Sequence, residues 1–147
     1  MRILHLGKYY PPVTGGMETV LKDLAEGSLD RGCEVCVVTA GLDTEERVGP
    51  VAGSRTGRAG KLVRMGVQGV WNSQPLTLGV SGVLRREIND FRPDLVHLHL
   101  PNPLAAAGWL ALEAMPGFPL PPLAIWYHAD ITRQRIGGLL VEPLVRA

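Results

Sequence analysis

The sequence predicts an α/β domain in three layers, with helices on both faces of a mainly parallel sheet. Three observations predict it. Short apolar runs alternate along the chain with stretches whose apolar residues recur at three- and four-residue spacing. The runs are continuously apolar, as strands covered on both faces require. The chain has 147 residues and 46% hydrophobic content, enough for one core and too little for two ordinary ones.

The elements follow in order. RILHL (2–6) reads as the first buried strand. Residues 17–31 read as a helix, with Val20, Leu21, Leu24, Ala25 and Leu29 along one side and Arg31-Gly32 as its stop. VCVVT (35–39) is the second strand. Residues 40–60 are rich in Gly, Arg and Thr without a clear period, and predict a long loop with room for a weak strand. KLVRMGV (61–67) is the third strand. A second helix is expected over 78–91, with Val80, Val83, Leu84 and Ile88 on one side and Arg92-Pro93 closing it. A fourth strand over 95–100 runs into the turn Pro101-Asn102-Pro103. A small-residue helix follows over 104–115, then a fifth strand over 123–128, and a further helix from Ile131 onward. In such sheets ligands bind where the chain leaves the carboxyl ends of the strands. Loops 7–16, 40–60, 100–103 and 128–132 are therefore the ones to inspect.

Several function classes are excluded. A net charge of +1 gives no basic field for nucleic acid. No apolar run approaches the ~20 residues that span a bilayer, and MRILHLGKYY is too short in apolar residues for a secretory signal. Cys33 and Cys36 form a C-x-x-C pair, but their odd separation puts them on opposite faces of a strand. No second pair exists to complete a metal site. They read as reduced structural cysteines of a cytosolic protein.

The loop GKYYPPVTGGME (7–18) follows the first strand and feeds the first helix. Gly15 and Gly16 let main-chain N–H groups approach a ligand closely. The helix behind them offers unsatisfied donors and a partial positive charge, a cradle for phosphate or sugar hydroxyls. Pro11 and Pro12 stiffen the approach. A second reading stays open: a plain turn, with the glycines at positive φ and Thr14 as a cap. The loop is neither a GxGxxG dinucleotide fingerprint nor a Walker A loop, since no GK[ST] follows.

Three segments in this order, KYYPPVTGGMETVLKDLAEGSLDRGCEV, RPDLVHLHLPNP and WYHADI, resemble the N-terminal domain of retaining glycosyltransferases of family 4. The resemblance covers nearly the whole chain. It implies a Rossmann-like domain, one half of a GT-B fold, on the acceptor side of a two-domain enzyme. The reaction implied passes a glycosyl group from a nucleotide-sugar to an acceptor hydroxyl with retention of configuration. It implies no cofactor and no metal, the nucleotide-sugar acting as co-substrate.

Carried over by residue, the resemblance puts Gly15 and Gly16 beside the donor diphosphate and the acceptor. It puts His128 against the donor sugar as the catalytic candidate, and Asn102 on the acceptor side. Asp130, with Glu18, is expected to orient the loops of the substrate site. Tyr10, beside Tyr9, is a candidate to stack on a sugar ring, although packing is the commoner role of such aromatics. His97 and His99 alternate on one side of a strand and are expected to serve packing or backbone support. A capped structural histidine is the alternative for His128.

Two departures stand out. Cys33 replaces a histidine common in the family, and neither a donor-binding domain nor a paired-glutamate motif is present. Residues 1–147 are accordingly expected to be the acceptor-side piece of a longer protein, inactive alone. A stand-alone Rossmann-like module that binds a phosphorylated small molecule is the alternative. Arg55, Arg58, Lys61 and Arg64 occur without an intervening acid. A cytoplasmic location follows from the resemblance, with lipid-linked or sugar acceptors and peripheral contact at the inner face of the membrane as partner expectations. For the basic loop itself, a solvated role is the favoured reading.

Overall fold

The structure, a computed structural model, describes residues 1–51 and 53–128. In chain order its elements are β1 (Arg2–Leu6), α1 (Gly16–Asp30), β2 (Glu34–Ala40), β3 (Arg47–Val51), β4 (Gly60–Met65), β5 (Gly69–Trp71), β6 (Gln74–Leu76), α2 (Val80–Phe91), β7 (Leu95–Leu100), α3 (Pro103–Glu113) and β8 (Leu123–Tyr127). Six strands form one sheet in the order β3-β4-β2-β1-β7-β8. All neighbours are parallel except β3 and β4. The chain builds outward from β1 through β2 to β4, then returns to the other side of β1 as β7 and β8. The carboxyl ends of β1 and β7 therefore flank the point where strand order reverses, the place where open α/β sheets bind ligands. This is a Rossmann-like arrangement, consistent with half of a GT-B fold.

The period-two alternation of each strand divides the core. Leu4, Leu6, Cys36, Val38, Val96 and Leu98 face α2 and α3, where Leu84, Ile88, Trp109 and Leu112 meet them. Val35, Val37 and Leu62 face Leu21, Ala25 and Leu29 of α1. Side chains such as Leu84 and Leu112 are fully buried, each contributing about 2 kcal/mol of transfer free energy. Gly108 of α3 lies against Val80, where an added Cβ would stand 2.7 Å from a methyl group. That close approach is what the small-residue sequence of α3 allows. Cys33 packs with the α1 side and Cys36 with the other, as their spacing requires.

Two parts differ from the sequence reading. The 40–60 segment contains a regular strand, β3, which adds an antiparallel edge to β4. Beyond β4, β5 and β6 form a two-stranded hairpin turned by Asn72 and Ser73, both at positive φ. The helix expected from Ile131 lies outside the described residues.

A charge network joins the sheet to α2. Glu87 is 0% exposed. Its carboxylate accepts from Lys61 Nζ at 2.6 Å and Arg86 Nε at 3.1 Å, with the Cys36 thiol 3.8 Å away. Burial and the neighbouring carboxylate push the Cys36 thiol up to about 12. It is therefore a protonated packing group, which agrees with the structural role read from its sequence.

Candidate functional site

The loop after β1 reaches the sheet's carboxyl edge and is tied down there. Ala40 N–H donates to the Lys8 carbonyl at 2.9 Å, and Arg64 Nη2 to the Pro11 carbonyl at 2.6 Å. The helix then begins without a side-chain cap: Gly15 is the N-cap residue and accepts from the Thr19 N–H and Thr19 hydroxyl. Gly15 has an extended backbone, and neither Gly15 nor Gly16 is at positive φ. The plain-turn reading thus loses both supports, left-handed glycines and a Thr14 cap. What each glycine does is different. Gly15 has the Glu18 carboxylate where a Cβ would stand, whereas nothing lies within 4 Å of a Cβ at Gly16. Gly16 opens onto free space at the first turn of α1.

Glu18 is the hub of this corner. It is buried in the first turn of α1, where the positive end of the helix favours a carboxylate. Its charge acts on Lys8, Tyr9 and His128 together. Burial lowers the Lys8 pKa and Glu18 opposes that shift. Burial raises the Tyr9 pKa and Glu18 adds to it. The Lys8 ammonium lies 5.7 Å from the centre of the Tyr9 ring.

His128 follows β8 and is fixed at two points. Its N–H donates to the Leu100 carbonyl at 2.9 Å. Its Nε2 shares a hydrogen bond of 3.1 Å with His99 Nδ1. Burial lowers its pKa, with Glu18 pulling the other way. A neutral ring is the result near neutral pH.

Behind His128 the remaining imidazoles cluster with tilted rings. His5 of β1 pairs in register with His97 of β7, and His97 and His99 share one face as their spacing predicts. Ring centres lie 4.4 Å apart for His97 and His99, 5.3 Å for His5 and His97, and 5.3 Å for His99 and His128. The chain has four histidines, and all of them are in this group. His5 is 2% and His99 1% exposed. Burial first, and neighbouring imidazoles second, lower each to about 3. His5 carried no expectation from sequence. The signal was its alignment with His97 across β1 and β7, which is invisible until strand order is known.

The other expected site residues distribute unevenly. Tyr10 is 6% exposed and sits in the core beneath α1 with Leu21 and Ala25. Burial and nearby carboxylates raise its hydroxyl to about 12. It is a packing residue, which corrects the sugar-stacking expectation for Tyr10. Asn102 is the N-cap of α3: its Oδ1 accepts the Ala105 N–H at 3.3 Å, with Pro103 following at the first helical position. The side-chain oxygen of Asn102 thus serves as a helix cap. Asp130 lies outside the described residues. Of the four basic residues noted around β4, three are engaged within the chain: Arg55 with Asp30, Lys61 with Glu87 and Arg64 with Pro11. Hollows of about 540 Å³ and about 290 Å³ lie beside Arg92-Pro93 and Cys33-Glu34, at the opposite edge where chain enters the strands.

Among the described residues, a mainly parallel sheet with a strand-order reversal, an uncapped glycine entry to its first helix and a histidine after β8 define a Rossmann-like α/β domain. The family model described as Glycosyltransferase Family 4 matches residues 14–146, and the chain belongs to that family. It is similar to O-antigen chain mannosyltransferase C of Escherichia coli, 31% identical over 98% of this chain and 36% of the relative. It is also similar to the D-rhamnosyltransferase WbpZ of Pseudomonas aeruginosa, 30% identical over 99% of this chain and 35% of the relative. The chain spans about a third of the length of these curated relatives. Among the described residues, no helix is long and apolar enough to cross a membrane.

Proposed function

We propose that this chain is the acceptor-side domain of a glycosyltransferase that moves a hexosyl group from a nucleotide-sugar to an acceptor hydroxyl with retention of configuration. The observation that carries the reading is the shared corner at the reversal point. Glu18, in the first turn behind Gly15 and Gly16, acts electrostatically on His128 at the end of β8. The open space at Gly16 lets a substrate oxygen approach the first-turn N–H groups. His128 offers a neutral imidazole to a sugar hydroxyl, its ring orientation set by His99 and its main chain by Leu100. Positioning of this kind is worth several kcal/mol only when both substrates are held together. Donor binding in this reading belongs to residues other than 1–147, so turnover by 1–147 alone is not expected.

The names of the two relatives make mannose and its 6-deoxy analogue D-rhamnose the first donor sugars to try. The test is transfer from a nucleotide-activated mannose in the longer protein that contains this chain, comparing wild type with His128→Ala. A loss of about a hundredfold or more in kcat/KM, with unchanged thermal stability, is the expected outcome for a positioned sugar-binding imidazole. Full activity in His128→Ala overturns the assignment of that residue. Turnover by residues 1–147 alone overturns the acceptor-side reading.

A further inference from the structure

We propose that His5, His97 and His99 form a binding site for one divalent transition-metal ion of the zinc class. One ring nitrogen from each residue can be chosen so that all three lie within 4.8 Å of one another. A histidine pair two apart on one strand, completed by a third from the adjacent parallel strand, presents three imidazoles from a rigid surface. Both nitrogens of His5 and Nε2 of His99 are buried without a hydrogen-bond partner. Polar atoms so placed cost of the order of 1–3 kcal/mol each when left unpaired. Packing alone gives no reason to accumulate them. Metal coordination does, because each bare nitrogen becomes a ligand.

The hydrogen bonding around the rings fits as well. Histidine ligands commonly use their other ring nitrogen in a hydrogen bond that fixes the tautomer. His99 has this arrangement already, with Nδ1 joined to His128 at 3.1 Å and Nε2 left for the ion. The ligand type selects the ion: neutral imidazoles suit Zn²⁺, Cu²⁺, Ni²⁺ and Co²⁺, not Mg²⁺ or Ca²⁺. A tetrahedral zinc with bonds of about 2.0 Å brings its nitrogens to about 3.3 Å, so the rings close by an ångström or so on binding. The fourth position is left for water.

The experiment uses the untagged 147-residue chain, stripped with a chelator and titrated with Co²⁺ and then Zn²⁺. The expected result is one equivalent of Co²⁺ with the visible absorption of a four-coordinate nitrogen site, displaced by Zn²⁺. His97 is only partly buried, unlike His5 and His99, so His97→Ala is expected to leave the core intact while weakening Zn²⁺ at least tenfold. Imidazole NMR gives a second readout that needs no variant, with Zn²⁺ shifting His5, His97 and His99 together. The proposal is overturned by substoichiometric binding, by thiolate charge-transfer bands that place the ion on Cys33 or Cys36, or by unchanged affinity in a folded His97→Ala protein. The two readings share His99 but are tested separately, since the metal titration needs no transfer activity.

Discussion

Lys61 and Arg86 hold the Glu87 carboxylate from two sides, and the balance there is asymmetric. Glu87 is wholly buried, while the two cations keep partial access to water. Truncating a partner leaves the acid's desolvation cost without its compensation. Lys61→Met is expected to lower unfolding free energy by about 2–3 kcal/mol, less than for a lone pair because Arg86 remains. Urea denaturation measures it, and a loss under 0.5 kcal/mol would show that Arg86 alone suffices. Gly16→Ala makes the opposite case. Its Cβ meets nothing within 4 Å and the position is already helical, so thermal stability is expected to be unchanged or slightly higher. Any loss of transfer in that variant therefore reports on substrate approach. Glu87 was not legible in sequence, because a glutamate in an amphipathic helix reads as solvated and its partner Lys61 is distant in the chain. Tyr10 misled for a related reason: nothing in KYYPP distinguishes a ring that folds under α1 from one that faces a ligand.

The elements that were legible are those with continuous apolar character. The five parallel strands and the three described helices begin and end within about two residues of their expected bounds, although β8 leaves Ile125, Trp126 and Tyr127 exposed. β3 was legible only as a weak strand without bounds, because an edge strand buries little: Arg47, Val48 and Pro50 are exposed, and only Val51 is buried. The hairpin of β5 and β6 was hidden because its strands have three residues each, and its turn uses Asn-Ser where Asn-Gly is the strong signal. α3 owes its start to Asn102 and Pro103. Asn102→Ala is expected to cost about 1 kcal/mol through loss of the cap, and Asn102→Asp to retain most of it. Thermal unfolding of both variants checks the point, and equal loss in the two would show that the side-chain amide, not the capping oxygen, matters.

Across the molecule, the histidine cluster couples stability to pH. In the metal-free form His5 and His99 stay neutral in the native state down to about 3, whereas the unfolded chain takes up protons near 6.5. The unfolded state thus binds more protons between those values, so stability is complete above about pH 6.5 and falls as pH drops toward 3. The slope is at most about 1.4 kcal/mol per pH unit for each histidine. Denaturant unfolding with a chelator present should show this acid sensitivity, with a shallower slope in His5→Leu. An unchanged slope would place the acid sensitivity elsewhere. The fold's class was within reach of sequence because continuously apolar strands alternate with helices, but its strand order was not. Nor was the histidine cluster, because it depends on which strands become neighbours after the order reverses.

The link between His99 and His128 has one more consequence. Only one proton can occupy the 3.1 Å contact between Nδ1 of one ring and Nε2 of the other. An ion held by His99 Nε2 forces that proton onto His99, which leaves neutral His128 with its hydrogen on Nδ1. A cation buried in the sheet would thereby decide whether the residue at the mouth of the crevice gives or receives, turning metal occupancy into a choice of polarity for whatever arrives there.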